Sequence, residues 1–537
     1  MCPDIVDTPG LRTGGVLFFR LVSLGRVNGA FGEEFSGAVL DGGDLGVADP
    51  FIVNRLCRMI SLLGNSGGAT GGKNMGAREV TKPDAVQSTV GEGESQPQES
   101  GDKAPPGERR SGWRRFLGLL GPGLVTGAAD DDPSGIATYA QAGAMFSNGL
   151  LWTAPLTLPM MMVVQEICDR TALATGEGLG RLARRKFSRR PRHILGILVV
   201  ALVAANTLNA AADLAAIGQG MELLGAGPDH VWSAVAGVGI AAALITGSFS
   251  TIAKVFKWLC LSLLAYVAVL FVAHVDWADV LAGLLGIRFQ FSLEYLSLIV
   301  AVLGTTISPY LFFWQSAHRV EELRDEDRGG EQTIGLKERS EAAARLKLRR
   351  ARTDVFAGMF FSVLVMFAIM AATAATLGKD GTSVETAADA AKALEPVVGP
   401  AAKFLFAAGF IGSGILAVPV LSGSGAAGLA GLLGKSWGFD RSPRRAPLFY
   451  ILLGVGILGG TLISLFTSDP IALLILSATI NGIAAAPFLI VTMLISGDKN
   501  IMGTYRNGRL AACLGWATTS IMVVAGAVGT WITLTGK

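Results

Sequence analysis

The sequence predicts an all-α membrane protein of eleven transmembrane helices, helices one and six broken at mid-membrane, and three observations carry that expectation. Only 16% of the 537 residues are charged and 51% are hydrophobic, with a mean hydropathy of +0.49; a soluble chain carries roughly 25% charged residues. Glycine is abundant, at 70 residues, without the period of a fibrous chain, which suits helices packed closely in lipid. Apolar stretches of about 20 residues, the length that crosses a bilayer, recur after Trp113 between charged or Gly/Pro-rich joints. These features argue against a soluble enzyme, a disordered chain and a disulfide-rich secreted domain.

Residues 1–112 read as a separate N-terminal extension. Leu63 to Arg110 is dominated by Gly, Ser, Pro, Gln, Glu and Lys, a composition that cannot bury a core. The apolar run from Val16 to Leu24 is too short to span and is interrupted by Arg20. Asp4 and Asp7 stand where a signal peptide needs positive charge. The extension is expected to be disordered and cytoplasmic, and residues 113–537 to form the membrane domain.

The eleven spans fall near 116–142, 148–166, 194–216, 230–247, 254–274, 294–316, 354–377, 403–432, 448–467, 470–496 and 509–533. Their joints alternate in charge. Arg181, Arg184, Arg185, Lys186, Arg189, Arg190 and Arg192 follow span two, and Arg345, Lys347, Arg349, Arg350 and Arg352 follow span six. Arg441, Arg444 and Arg445 follow span eight, and Lys499, Arg506 and Arg509 follow span ten. The joint after span seven, with Asp380, Glu385, Asp389 and Glu395, is mildly acidic. Positive joints face the cytoplasm, so the N-terminus is expected inside and the C-terminus outside a cytoplasmic membrane.

Span one contains Asp130-Asp131-Asp132-Pro133-Ser134-Gly135. A charged side chain at mid-membrane costs roughly 2.5–3.5 kcal/mol on insertion scales, and Pro133 removes a backbone donor. Such a break is tolerated where freed carbonyls line a cavity or meet a ligand. A proline kink with its carboxylates in an outer vestibule is the plainer reading; a cation site at Asp132 with unwound carbonyls is the functional one. Span six supplies a second break at Thr305-Thr306-Ile307-Ser308-Pro309-Tyr310. Interruptions at matching places in two successive five-helix sets point to inverted repeats with a central site. Five scattered cysteines without a CxxC pair, and four dispersed histidines, argue against a disulfide framework, a zinc site or a histidine-built centre.

The run GPGLVTGAADDDPSGIATYAQAGA resembles the first helix of the Nramp divalent-metal transporters, and GTTISPYLFFWQS is similar to their sixth. The resemblance covers nearly everything after Trp113, including QEICDRTALATGEGL and AADLAAIG. It implies LeuT-like inverted repeats, helices 1–5 and 6–10, and transport by alternating access. It also implies that Asp132 and Pro133 match the family's metal-binding Asp and its Pro. Gly135 stands where the family has a ligand Asn, Ser308 where it has Met, Tyr310 where it has His, and Thr305 where an Ala carbonyl ligates. Thioethers favour soft transition metals, whereas carboxylate, carbonyl and water suit magnesium and manganese. Losing Met and Asn is expected to widen the pocket. Mg²⁺, which keeps several waters, suits such a site, and the pattern resembles the Nramp-related magnesium transporters.

The expected metal-site residues are therefore Asp132, Ser134, Gly135, Thr305 and Ser308. Asp131 joins them as an outer-water or entrance group, because helical neighbours point about 100° apart and Asp130, Asp131 and Asp132 cannot all ligate one ion. Thr479 and Asn481 in span ten are polar in an apolar run; interhelical bonding and contact with a hydrated ion both stay open. Asn206, Asn209 and Asp213 in span three share one helical side. Glu166, Asp169 and Arg170, at the end of span two, suit a structural ion pair. The charge run from Glu321 to Arg352 reads as a solvated cytoplasmic loop.

The expected function is a carrier for Mg²⁺, and also Mn²⁺, weakly or not coupled to protons, since Ala216 or Ile217 replaces an expected Glu and Tyr310 the His. The competing readings are a proton-coupled Mn²⁺/Fe²⁺ Nramp transporter, another broken-helix solute carrier, and a membrane enzyme or receptor. No cofactor is expected, the divalent cation being cargo. The expected partners are that ion and the bilayer, not nucleic acid; oligomeric state stays open, with a monomer consistent.

Overall fold

The computed structural model describes residues 122–246, 260–272, 275–326, 333–378, 399 and 401–535. The expected extension, residues 1–112, lies outside them. Among the described residues every regular element is a helix.

The chain enters as α1 (Pro122–Asp130), leaves helical geometry at Asp131 and Asp132, and resumes as α2 (Pro133–Phe146). Pro133 suits that restart, because its fixed φ is helical and its missing N–H is one that no helix start satisfies internally. Asp132 caps α2 by accepting from the Gly135 N–H. A 3-10 turn over Ser147–Leu150 leads into α3 (Thr153–Thr175), bent by 111° from the α2 segment. Short α4 (Leu179–Lys186) ends in Arg184, Arg185 and Lys186, favourable charges for a helix C-terminus. There follow α5 (Arg189–Leu223), α6 (Asp229–Thr246), α7 (Leu264–Val272) and α8 (Trp277–Leu284). The second interruption repeats the device: α9 (Leu293–Thr306) stops, and α10 (Pro309–Asp325) restarts on Pro309. The chain continues through α11 (Glu341–Thr376), α12 (Ala401–Leu432), α13 (Pro447–Ser464), α14 (Pro470–Ser496), short α15 (Lys499–Met502) and α16 (Arg509–Thr535).

Counting α9 with α10, eight helices among the described residues are long and apolar enough to cross a membrane. The other three expected spans are not among these eight. Span one is divided between α1 and α2, of 9 and 14 residues, each short of the roughly 20 that a bilayer needs. Span two is α3, whose later half carries Glu166, Asp169 and Arg170. Span five is described only in part. The charge run from Glu321 to Arg352 is corrected as well. Glu321 is buried in α10 and accepts from the Phe439 N–H, residues 341–352 open α11, and 327–332 lie outside the described residues. Helix-forming composition, rather than charge, decides the ends of that segment.

Both α1 and α2 pack on α11. Glycine makes this approach possible: a Cβ on Gly127 would lie 2.1 Å from the Gly358 carbonyl oxygen, and one on Gly358 2.0 Å from that of Gly123. Backbone therefore meets backbone, the close contact that small residues allow between membrane helices. α9 packs on α14 in the same way, with Gly304 against Ala478 and Gly482. Outside this core, Ile197, Val238, Leu458 and Val524 are more than half exposed, as a lipid-facing surface requires.

Candidate metal centre

Two half-helices, α1 and α9, end at the breaks, and their last carbonyls have no partner within the helix and form the negative end of its dipole. The breaks meet. The Tyr310 hydroxyl lies 3.2 Å from the Ala129 carbonyl oxygen, and the hydroxyls of Ser134 and Thr305 are 3.4 Å apart.

Asp132 sits at that meeting, fully buried. Its Oδ1 accepts from Ser134 Oγ at 2.5 Å and from the Gly135 N–H at 2.8 Å. Its Oδ2 accepts from Asn209 Nδ2 at 3.1 Å and from the Tyr310 hydroxyl at 3.2 Å. Asn209 Oδ1 in turn accepts from Ser477 Oγ at 2.5 Å, which draws α14 into the network. Every hydrogen-bonding partner of this carboxylate is a neutral hydroxyl or amide. A buried carboxylate without a cationic partner is costly, and the cost is relieved when a cation arrives beside two helix C-termini.

Of the residues expected at the site, Asp132, Ser134, Gly135 and Thr305 are brought together, with Ser308 on the adjoining break. The Ser308 hydroxyl turns back to donate to the Gly304 and Thr305 carbonyls, at 2.6 and 2.8 Å, so only its lone pairs face outward chemistry. The expectation of a widened pocket is corrected at Gly135. A Cβ there would meet the Asp130 carbonyl oxygen at 3.1 Å, Thr305 Oγ1 at 3.2 Å and Tyr139 Cε2 at 3.3 Å; the threonine and tyrosine fill the space.

Asp131 does not join the group. Ser362 of α11 donates to Asp130 Oδ2 at 2.6 Å and lies 3.4 Å from Asp131 Oδ1, so this pair is turned toward α11 while Asp132 meets α5 and α10. The angle between successive residues separates them. Thr479 also differs from expectation: it is half-buried and donates to the Ile475 carbonyl of its own helix. Asn481 is buried, and neither of its amide atoms has a partner among the described residues. Asn206 donates to the Leu421 carbonyl at 2.9 Å. Asp213 is buried with neither oxygen partnered among the described residues. Ser362, Ser477 and Tyr139 were not expected at all. Their only signal is a lone hydroxyl in an apolar run, and such hydroxyls commonly bond their own helix.

A second polar layer lies toward the start of α1. Arg319 donates to Asp169 at 2.5 and 3.1 Å and to Asp354 at 3.2 Å, while Asp354 accepts the Gly123 N–H at 2.9 Å. Glu166 pairs with Arg170 at 3.0 Å. The structural ion pair expected at the end of span two is therefore two pairs, Asp169 choosing Arg319. Among the described residues no group of three His, Cys, Asp or Glu side chains is placed to hold an ion, and Cys168, Cys260 and Cys513 are free.

The family model described as natural resistance-associated macrophage protein-like, Nramp, matches residues 123–531. The divalent metal cation transporter MntH of Deinococcus radiodurans is 27% identical over 440 residues, covering 79% of this chain and 92% of the relative. MntH of Bacillus subtilis is 24% identical over 415 residues, covering 77% and 91%. The crystal structure of the Eremococcus coleocola manganese transporter, in complex with an aromatic bis-isothiourea substituted compound, superposes with a TM-score of 0.60 at 18% identity, over 78% of this chain and 87% of that one. Likeness at that identity speaks for the fold.

Proposed function

The chain belongs to the Nramp family, and from that premise we propose that it carries divalent metal cations across the cytoplasmic membrane by alternating access, Mg²⁺ foremost and Mn²⁺ beside it. Its named relatives are metal transporters, not enzymes. The observation that carries the choice of ion is the oxygen set at Asp132: its own carboxylate and the hydroxyls of Ser134 and Tyr310, held by the Asn209 and Gly135 N–H groups, with no sulfur and no imidazole among these partners. Hard oxygen donors suit Mg²⁺ and Mn²⁺, and Mg²⁺ is usually held through one or two carboxylates with waters retained.

In this reading Asp132 supplies the charge, the freed carbonyls of α1 and α9 supply dipoles, and Ser134, Thr305 and Ser308 supply hydroxyl oxygens. Gly135 contributes its backbone at the break. Asp131, on the Ser362 side, acts from a distance, and Thr479 and Asn481 meet the ion's water shell when α14 moves. The two five-helix sets form inverted repeats, with the N-terminus inside. Proton coupling is weak or absent, because Tyr310 stands where an imidazole would titrate.

The test is uptake of Mg²⁺, Mn²⁺, Ca²⁺ and Cd²⁺ into proteoliposomes with an internal pH dye. The expected result is Mg²⁺ uptake that competes with Mn²⁺, survives excess Ca²⁺ and leaves the dye flat. Strong Mn²⁺ or Cd²⁺ uptake with Mg²⁺ ignored would instead make this a transition-metal member of the family.

A further inference from the structure

A cavity of about 730 Å³ opens between α3, α11 and α16, away from Asp132. One wall is apolar, formed by Met162, Val163, Phe356, Leu510 and Leu514. Phe356 and Leu510 are 48% and 74% exposed, so this wall faces whatever surrounds the protein. The other end is basic, with Arg170, Arg352, Arg506 and Arg509 against a single acid, Glu166.

The charges there are arranged, not scattered. Glu166 accepts from Arg170 Nε and from Arg352 Nε, each at 3.0 Å. Arg170 is buried, and its remaining nitrogens donate to the Tyr505 carbonyl and to Asn507 Oδ1, which fixes its guanidinium to the loop before α16. Arg352 uses only its Nε in this way. Arg506 and Arg509 are exposed and make no side-chain hydrogen bond or ion pair among the described residues. Four guanidiniums against one carboxylate leave three positive charges for an anion to neutralise.

We propose that this cavity binds an anionic phospholipid of the cytoplasmic leaflet, its phosphate on the arginines and its acyl chains along the apolar wall. Guanidinium forks match phosphate oxygens in pairs, and basic pockets between membrane helices on the cytoplasmic side hold acidic headgroups. The tendency of cytoplasmic joints to be positive accounts for the arginines but not for a cavity joining them to an open apolar wall. A free phosphate would use the basic end and leave that wall uncovered, so the lipid is the occupant that satisfies both. The inference rests on the chain being embedded in a membrane and is independent of the ion carried.

The experiment uses the full-length protein in detergent micelles doped with phosphatidylglycerol or phosphatidylcholine, read by thermal melting and by mass spectrometry of retained lipid. Phosphatidylglycerol should raise the melting temperature saturably and be retained through washing, while phosphatidylcholine and glycerol phosphate should do neither. The double variant Arg352→Gln/Arg509→Gln should bind phosphatidylglycerol at least tenfold more weakly. Ala511→Trp, which fills the cavity and keeps every charge, should do the same and serves where the first variant folds poorly. Unchanged retention in both variants, or equal stabilisation by phosphatidylcholine, would overturn the proposal. Stabilisation by glycerol phosphate alone would overturn it in favour of a plain anion site. Mg²⁺ uptake is a separate readout, so failure of the cargo reading leaves these outcomes distinct.

Discussion

The phenolic hydroxyl of Tyr310 lies 3.2 Å from Oδ2 of Asp132 and 3.2 Å from the carbonyl oxygen of Ala129. One side chain on the restarting half of the second broken helix thus touches both sides of the first break. A phenol ordinarily gives up its proton only near pH 10, whereas an imidazole titrates near 6.5. Tyr310→Phe should therefore retain Mg²⁺ uptake, with apparent affinity changed by about tenfold, the lower end of the scale of one charge-assisted hydrogen bond. Lumenal pH should stay flat in both proteins. Acidification that tracks uptake in the parent and disappears in Tyr310→Phe would identify this hydroxyl as a proton carrier.

Asp132 should be indispensable. Asp132→Asn keeps the shape and removes the charge, and uptake of any divalent ion should fall by at least about 100-fold, since uncompensated changes at buried charges cost about 3–5 kcal/mol. Asn209→Ala, which removes one of four donors to Asp132, should cost about 1 kcal/mol and roughly fivefold in affinity. Equal effects from the two changes would misplace the site.

Selectivity should respond to Ser308 more cleanly than to Gly135. Ser308→Met replaces a hydroxyl with polarizable sulfur and should favour Mn²⁺ and Cd²⁺ over Mg²⁺ in competition uptake. Gly135→Asn should lower folded yield unless Thr305 or Tyr139 yields, because its Cβ would lie within 3.3 Å of both. The pair of changes should shift preference further than Ser308→Met alone only if the protein still folds.

The contact of α1 with α11 gives a stability prediction. Gly358→Ala would set a methyl 2.0 Å from the Gly123 carbonyl oxygen, and overpacking of that kind costs about 1–3 kcal/mol. Melting in detergent should drop by several degrees and uptake should slow. An unchanged melting temperature would mean that the two helices are not so close.

The expected orientation can be checked by single cysteines in a cysteine-free background. A cysteine replacing Arg190, in the first turn of α5, should be labelled only from the cytoplasmic side; labelling from outside would reverse the topology.

Local features of the sequence account for much of this arrangement. Proline after a capping residue marks where α2 and α10 begin, and Asp132-Pro133 and Ser308-Pro309 carry that signal in the residues themselves. Helix rotation is another matter. In runs that are apolar on every side, periodicity does not say which face turns inward, so the shared helical side of Asn206, Asn209 and Asp213 gives no indication that Asn209 bonds Asp132. Ser362 and Ser477 gave no more warning than any other serine. The pairing of Asp169 with Arg319, 150 positions away, and the burial of Glu321 depend on how distant helices cross. The crowding around Gly135 is a tertiary fact of the same sort, since a sequence shows which side chain is missing but not what moves into its place.

The neutral company kept by Asp132 has an electrical consequence. With no counter-charge among its partners in the described residues, an ionised Asp132 would leave the centre negative when empty and positive once the proposed divalent ion entered. On the uncoupled reading proposed above, each cycle would move two elementary charges, and voltage would be the driving force. A potential of 100 mV contributes about 2.3 kcal/mol per charge, hence roughly 4.6 kcal/mol for the ion, enough for accumulation on the order of a thousandfold at about 1.4 kcal/mol per decade.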